Sequence, residues 1–158
     1  MTVELRPMTS SEFDSVVDTA FADYLTARVA GGVIRQEDAA ADIQQQRKQY
    51  LPDGVATEHM LLYIGEADGE RIGWIWLALP GGANHPDTAW VYFVVVDDAH
   101  RGKGYGRGLM LAAERELVQR GVRRLGLNVF GANETAIRLY ERLGYQVVTQ
   151  QMTKPLIG

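Results

Sequence analysis

Val94-Val95-Val96-Asp97-Asp98-Ala99-His100-Arg101-Gly102-Lys103-Gly104-Tyr105-Gly106-Arg107 is the stretch on which the reading of this chain turns. A β-branched apolar run ends in a short polar turn. A basic loop with alternating glycines follows, and Leu109 to Leu117 then read as a helix. Glycine lets a backbone approach a ligand closely and turn several N–H groups toward it. The helix start adds unpaired donors and the positive end of a dipole. Arg101, Lys103 and Arg107 add full charges. The segment reads as a cradle for a pyrophosphate; the plainer reading is a glycine-rich connector before an ordinary helix.

Two familiar phosphate loops fail to match. A P-loop requires a Lys-Ser or Lys-Thr pair, and the chain has neither. In a dinucleotide fingerprint the third glycine would fall on Arg107 or Leu109. Arg-x-x-Gly-x-Gly does fit, as Arg101, Gly104 and Gly106. That pattern resembles the coenzyme A pyrophosphate loop of the GNAT superfamily, the acyl-CoA-dependent N-acyltransferases.

A second segment points the same way. Leu127 to Tyr145 reads as strand, turn, helix and the start of a strand. Asn133 is placed to cap the helix, and Gly144 stands where a helix-ending glycine belongs. An Asn near the helix start, a Tyr seven residues on (Tyr140) and then Leu143-Gly144-Tyr145 resemble the superfamily's other signature.

The 158 residues fit one domain, 1–158, with a proper core. A net charge of −4 offers no general attraction to nucleic acid. The absence of cysteine excludes a thiol nucleophile, disulfides and thiolate ligands. His59, His85 and His100 lack metal-ligand spacing, so no metal is expected. No apolar run approaches a membrane span, and a cytoplasmic location is the default expectation.

Along the chain, Val3–Arg6 reads as a short strand, and Thr9 with Glu12 as a capping box. Phe13 to Leu25 carry helical spacing until Gly31-Gly32; a second helix spans 36–50. Met60–Glu66 and Ile72–Leu79 form a hairpin about Asp68-Gly69. Residues 80–87 are a loop, and Trp90–Val96 is a central strand. After the glycine loop and its helix come strands over 124–129 and 145–152, separated by the last helix. The order β-αα-ββ-β-α-β-α-β is that of the superfamily. The resemblance therefore implies an α/β fold: a single mixed sheet, splayed at its centre and flanked by helices.

It also implies a chemistry. The function expected is an acetyl-CoA-dependent N-acetyltransferase, moving an acetyl group to a primary amine by direct attack in a ternary complex. The acyl-CoA would lie between the strands 90–96 and 124–129. Main-chain groups of Val94 and Val96 would pair with the pantetheine amides, and an N–H near Val94 or Val95 would polarise the thioester carbonyl. The N–H groups of Gly102, Lys103, Gly104, Tyr105, Gly106 and Arg107 would hold the pyrophosphate. Asn133 would contact the pantetheine arm, and Tyr140 would protonate the departing thiolate.

The base is left open among Glu66, Asp97, Tyr92 and a water held by Asn128. Tyr24, Arg28, Trp74, Trp76 and Trp90 are candidates to line the acceptor side. A non-catalytic acyl-CoA sensor on the same fold is the alternative. The partners expected are acetyl-CoA and an amine, with no nucleic acid or membrane, in a monomer or homodimer.

Overall fold

The computed structural model describes residues 2–81 and 85–157, with Ala40 by its backbone alone. Its sheet runs β1 (Glu4–Pro7), β2 (Met60–Ala67), β3 (Glu70–Ala78), β4 (Ala89–Val96) and β5 (Leu125–Leu127), in that spatial order. The first four strands are antiparallel neighbours, and β5 lies parallel to β4. The helices are α1 (Ser10–Ala30), α2 (Ala39–Tyr50), α3 (Tyr105–Gln119) and α4 (Glu134–Arg142). Among the described residues no helix is long and apolar enough to cross a membrane.

Strand alternation sends neighbouring side chains to opposite faces. Leu62, Ile64, Trp74 and Trp76 pack with Phe13, Val17 and Phe21 of α1. Tyr63, Ile75, Leu77 and Val91 pack instead with Met110, Ala113 and Leu117 of α3. Each fully buried Phe or Leu contributes roughly 1.5–3 kcal/mol, so these two layers carry the fold.

Local chemistry sets the element ends. The Glu12 N–H donates to Thr9 Oγ1 (3.2 Å), and the Thr9 N–H donates back to Glu12 Oε1 (3.0 Å), completing the expected capping box. Hydrogen bonds from Arg6, then from the Thr9 backbone, hold the Glu12 carboxyl down at about 2. Asp68 and Gly69 both take positive φ (53° and 79°), as a two-residue hairpin turn demands.

Most sequence expectations are met within two residues at each boundary, but α2 begins three residues later than expected, at Ala39 after a 3₁₀ turn, α3 begins four earlier, at Tyr105, and two further corrections fall at the C-terminal end. The strand expected over 124–129 is shorter, and the strand expected over 145–152 is not formed. β-Branched and aromatic residues give a segment strand propensity but not a partner edge. Residues 146–157 pair with no strand, and Val147, Val148, Met152, Leu156 and Ile157 stand exposed. Of the loop expected at 80–87, residues 82–84 lie outside the described residues.

Candidate active site

β4 and β5 are paired at one end only. Ala89, Trp90 and Val91 stand opposite Leu125, Gly126 and Leu127, and the pairing stops there. β4 continues to Val96 against β3 alone. The two parallel strands therefore part toward their C-terminal ends, where ligands of such sheets commonly bind.

The open side of β4 is lined by its main chain. The Asp97 N–H donates to the Ile72 carbonyl (2.9 Å), so Asp97 faces β3. Alternation turns the N–H and C=O groups of Val96 and Val94 the other way, into the gap, while those of Val95 face β3. Consistently, a Cβ on Gly73 would meet the Val95 carbonyl oxygen at 2.1 Å. The Val96 carbonyl accepts from Arg101 Nε (3.3 Å).

A bulge sharpens the division of faces. The register passes from Leu77–Val91 to Trp76–Phe93, leaving Tyr92 as an extra residue. Tyr92, Phe93 and Val95 consequently pack toward α1, and Val91 and Val94 toward α3. The sequence carries no signal for this bulge.

Directly after β4, a single 3₁₀ turn (Asp98–His100) leads into the glycine loop. Gly102 (φ 74°) and Gly104 (φ 83°) adopt left-handed conformations that favour glycine, and a Cβ at either would project into open space. Gly104 is the N-cap of α3 and supplies no side-chain cap. The first intrahelical bond runs from the Gly108 N–H to the Gly104 carbonyl (3.2 Å), so Tyr105, Gly106 and Arg107 present the unpaired N–H groups of the first turn.

Arg101, Lys103 and Arg107 are exposed beside them. Arg101 also pairs with Asp98 (3.0 Å), and Lys103 Nζ donates to the Ala99 carbonyl (3.2 Å). Oriented N–H donors, a helix N-terminus and three cations form a donor set suited to a pyrophosphate.

α4 closes over this junction. A Cβ on Gly106 would lie 3.4 Å from Leu139 and 3.9 Å from Val96, so α4, α3 and β4 meet there. Asn133 caps α4, its Oδ1 accepting from the Ala136 N–H (3.2 Å). One turn beyond Ala136, Tyr140 packs on the same core layer as Val94 and Leu127. Burial raises the Tyr140 pKa, so the phenol keeps its proton through neutral pH. No buried side-chain polar atom lacks a partner among the described residues, and the Tyr140 hydroxyl has none, so it remains accessible.

Residues 21–145 match the model of the acetyltransferase (GNAT) family. The chain belongs to this family. It is 34% identical to the uncharacterized N-acetyltransferase YycN of Bacillus subtilis, covering 99% of this chain and 100% of that one. The crystal structure of YycN superposes with a TM-score of 0.91, at 31% identity and over 99% of this chain and all of that one. Mycothiol acetyltransferase of Amycolatopsis mediterranei is 36% identical over 72% of this chain but only 36% of its own length. The PaiA N-acetyltransferase of Thermoplasma acidophilum, solved in complex with coenzyme A, shares the fold (TM-score 0.65, 18% identity, 96% and 94% covered).

The GNAT chain's carboxylates near β4 are engaged. Glu66 accepts from Arg6 Nε at 2.6 Å, and Asp97 accepts from Arg71 at 2.9 and 3.3 Å. Tyr92 is held above the usual phenol range by burial, then by the nearby Tyr50 and Tyr24. Asn128 is exposed just past β5.

Across β4 from α3 lies a wall of rings. Tyr24 meets Phe93 (5.8 Å) and Phe130 (6.1 Å), and Tyr50 meets Tyr92 (5.3 Å). These five rings are half-buried, whereas Trp74 and Trp76 lie in the core behind them. Trp90 packs over Gly126, where a Cβ would meet its ring at 2.5 Å, and stacks with His85. Arg28 is ion-paired with Asp42 and lies over Tyr24 (5.6 Å). The wall thus draws on Tyr50, Tyr92, Phe93 and Phe130 more than on the tryptophans that the sequence suggested; their spacing alone does not distinguish lining from core.

A recess of about 870 Å³ lined by His59, Asp87, Arg120, Arg123 and Arg124 opens at the far end of the sheet, away from the glycine loop. Among the described residues no group of three His, Cys, Asp or Glu is arranged to hold a metal ion.

Proposed function

We propose that the protein transfers an acetyl group from acetyl-CoA to a primary amine in a ternary complex, as one domain spanning 1–158 and acting in the cytoplasm. The observation that carries this reading is the juxtaposition of the gap-facing main chain of Val94 and Val96, which no strand pairs, with the N–H-rich loop at 102–107. Val94 and Val96 would pair with the pantetheine amides, as an added strand does. Gly102 to Arg107, with Arg101, would hold the pyrophosphate, and Asn133 would touch the pantetheine arm while capping α4. The Val94 N–H would polarise the thioester carbonyl, whereas Val95, whose own N–H and C=O turn to β3, would not take part.

The amine nitrogen attacks the thioester carbonyl, a C–N bond forms, and the C–S bond breaks. Tyr140 gives its hydroxyl proton to the leaving sulfur and regains one from solvent. Its raised pKa suits an acid that must be protonated at rest. The amine's proton leaves to water, with Asn128 as a holding point, because Glu66 and Asp97 are bound to arginines. That same engagement favours, as the second reading, a sensor that binds acyl-CoA without turnover.

The chain has no cysteine, so thiol released in an assay is CoA alone. Incubation with acetyl-CoA and a panel of primary amines should release thiol, and Tyr140→Phe should slow that release without weakening acetyl-CoA binding. Tight acetyl-CoA binding with no thiol released by any amine would establish the sensor instead.

A further inference from the structure

Three of the half-buried rings on the acceptor side are tyrosines from three elements: Tyr24 on α1, Tyr50 at the end of α2 and Tyr92 on β4. Tyr50 and Tyr92 stand 5.3 Å apart with their planes inclined at 50°, and Tyr24 meets Phe93 at 76°. The pairs deeper in the core are stacked instead, Trp76–Phe93 at 15° and Trp74–Phe93 at 26°. Tyr92 rests one face on the buried Trp76 (4.5 Å), which leaves the other. Rings inclined to one another can turn their faces toward one point, the arrangement that holds an ammonium. The hydroxyls of Tyr24 and Tyr50 make no hydrogen bond among the described residues and are not buried without a partner, so they are open to an N–H donor. Burial first, then Tyr50 and Tyr24, raises the Tyr92 phenol, so the three hydroxyls share one neighbourhood.

The helices on this side are acidic. Residues 10–50, which hold α1 and α2, carry seven Asp and Glu against four Lys and Arg, a net −3 in a chain whose total is −4. The glycine loop is the opposite, with Arg101, Lys103 and Arg107 within seven residues. The arginines that reach rings here are already neutralised. Arg28, over Tyr24 (5.6 Å), pairs with Asp42, and Arg47, over Phe13 (5.5 Å), pairs with Asp18 (2.8 Å). Arg28 also shows that a ring of this wall takes a cation on its face. Such a field draws cations in and turns carboxylates away. An amine with an apolar body would gain little from it.

We propose that the acceptor is an amine bearing a second positive charge, an aliphatic diamine by chemical class, whose far ammonium is held by the rings of Tyr24, Tyr50 and Tyr92. Its near nitrogen gives up a proton to water and forms the C–N bond as the C–S bond breaks. The far ammonium keeps its protons and its charge throughout. This assignment rests on the acetyl-transfer reading and names the substrate class of that site.

Diaminopentane and hexylamine differ only by an ammonium in place of a terminal methyl. Thiol release from acetyl-CoA should give a kcat/KM roughly tenfold higher for diaminopentane, the scale of a desolvated cation–ring contact. Tyr50→Leu keeps apolar bulk and loses the ring, and should cut that preference roughly three- to tenfold. Tyr50→Phe restores the ring and should restore the preference. Each preference is a ratio within one variant, so a loss of stability does not mimic it. Calorimetric titration of the CoA-loaded protein with each amine separates the two readings. Selective binding of diaminopentane with no thiol released would support the ammonium site and overturn acetyl transfer alone. Thiol release with equal kcat/KM for the two amines, a preference for hexylamine, or a preference unmoved by Tyr50→Leu would overturn the proposal and leave acetyl transfer in place. A CoA-loaded protein that binds neither amine would overturn it as well.

Discussion

The two sides of β4 are built from different parts of the chain. The side facing the gap with β5 offers main chain: the groups of Val94 and Val96, and then the N–H groups of the glycine loop. The side facing α1 and α2 offers side chains, the half-buried rings of Tyr24, Tyr50, Tyr92, Phe93 and Phe130. Main-chain recognition demands glycines and a helix start at fixed positions, so it leaves a pattern in sequence. Ring recognition demands only apolar area and shape, which a core uses equally. One face can therefore be identified by motif, and the other only by placement.

Substitutions that spare one face and spoil the other test this division. The largest effect should come from Gly73→Ala, which spoils both. Its Cβ would meet the Val95 carbonyl oxygen at 2.1 Å and force β3 and β4 apart. A loss of about 3 kcal/mol is expected for such overpacking, read as a lowered Tm; an unchanged Tm would show that β4 is not held as described.

Gly104→Val should strike the cofactor side alone. No atom lies within 4 Å of its Cβ, so the damage comes from the positive φ and from a side chain thrust into ligand space. Acetyl-CoA affinity should fall roughly 100-fold or more, by the 1.4 kcal/mol per decade relation, while the left-handed strain of about 1–2 kcal/mol lowers Tm by only a few degrees. A folded variant of native affinity would remove the loop from the binding site.

Tyr140→Phe should lower kcat by roughly 100-fold, the low end for a lost general acid, and leave acetyl-CoA affinity intact. Burial raises the Tyr140 pKa. The proton-bearing form is therefore complete at neutral pH and lost only as pH rises through that raised value. The alkaline limb of kcat should lie above the ordinary phenol value of about 10 and disappear in the variant. A limb that persists in Tyr140→Phe would assign it to another group.

The mildest effect should belong to the ring wall. Tyr50→Leu loses the contacts with Tyr92 and Trp76. The amine KM should rise roughly three- to tenfold, the scale of one aromatic contact, with the KM for acetyl-CoA unmoved. A change confined to acetyl-CoA would invert the assignment of the two faces.

Legibility in the sequence followed the same division. The capping box at Thr9 and Glu12, the Asp68-Gly69 turn, the glycine loop and the Asn133 cap all arise from local chemistry, and all are where the sequence placed them. The bulge at Tyr92 arises from strand pairing, a non-local event that leaves no trace in periodicity. The ion pairs that occupy Glu66 and Asp97 join residues far apart in the chain, so neither carboxylate could be dismissed as a base beforehand. Residues 145–152 are rich in residues that favour strands (Tyr145, Val147, Val148, Thr149), but whether they pair depends on an edge that the segment does not contain.

The central claim is that the open main chain of β4 and the loop at 102–107 form a site for acetyl-CoA. Calorimetric titration of the native protein with acetyl-CoA, with ATP and NAD as controls, tests it most directly. Saturable binding of acetyl-CoA, with no heat from ATP or NAD, is the predicted result. A folded protein that gives no heat with acetyl-CoA, or binds ATP or NAD as well, would contradict it.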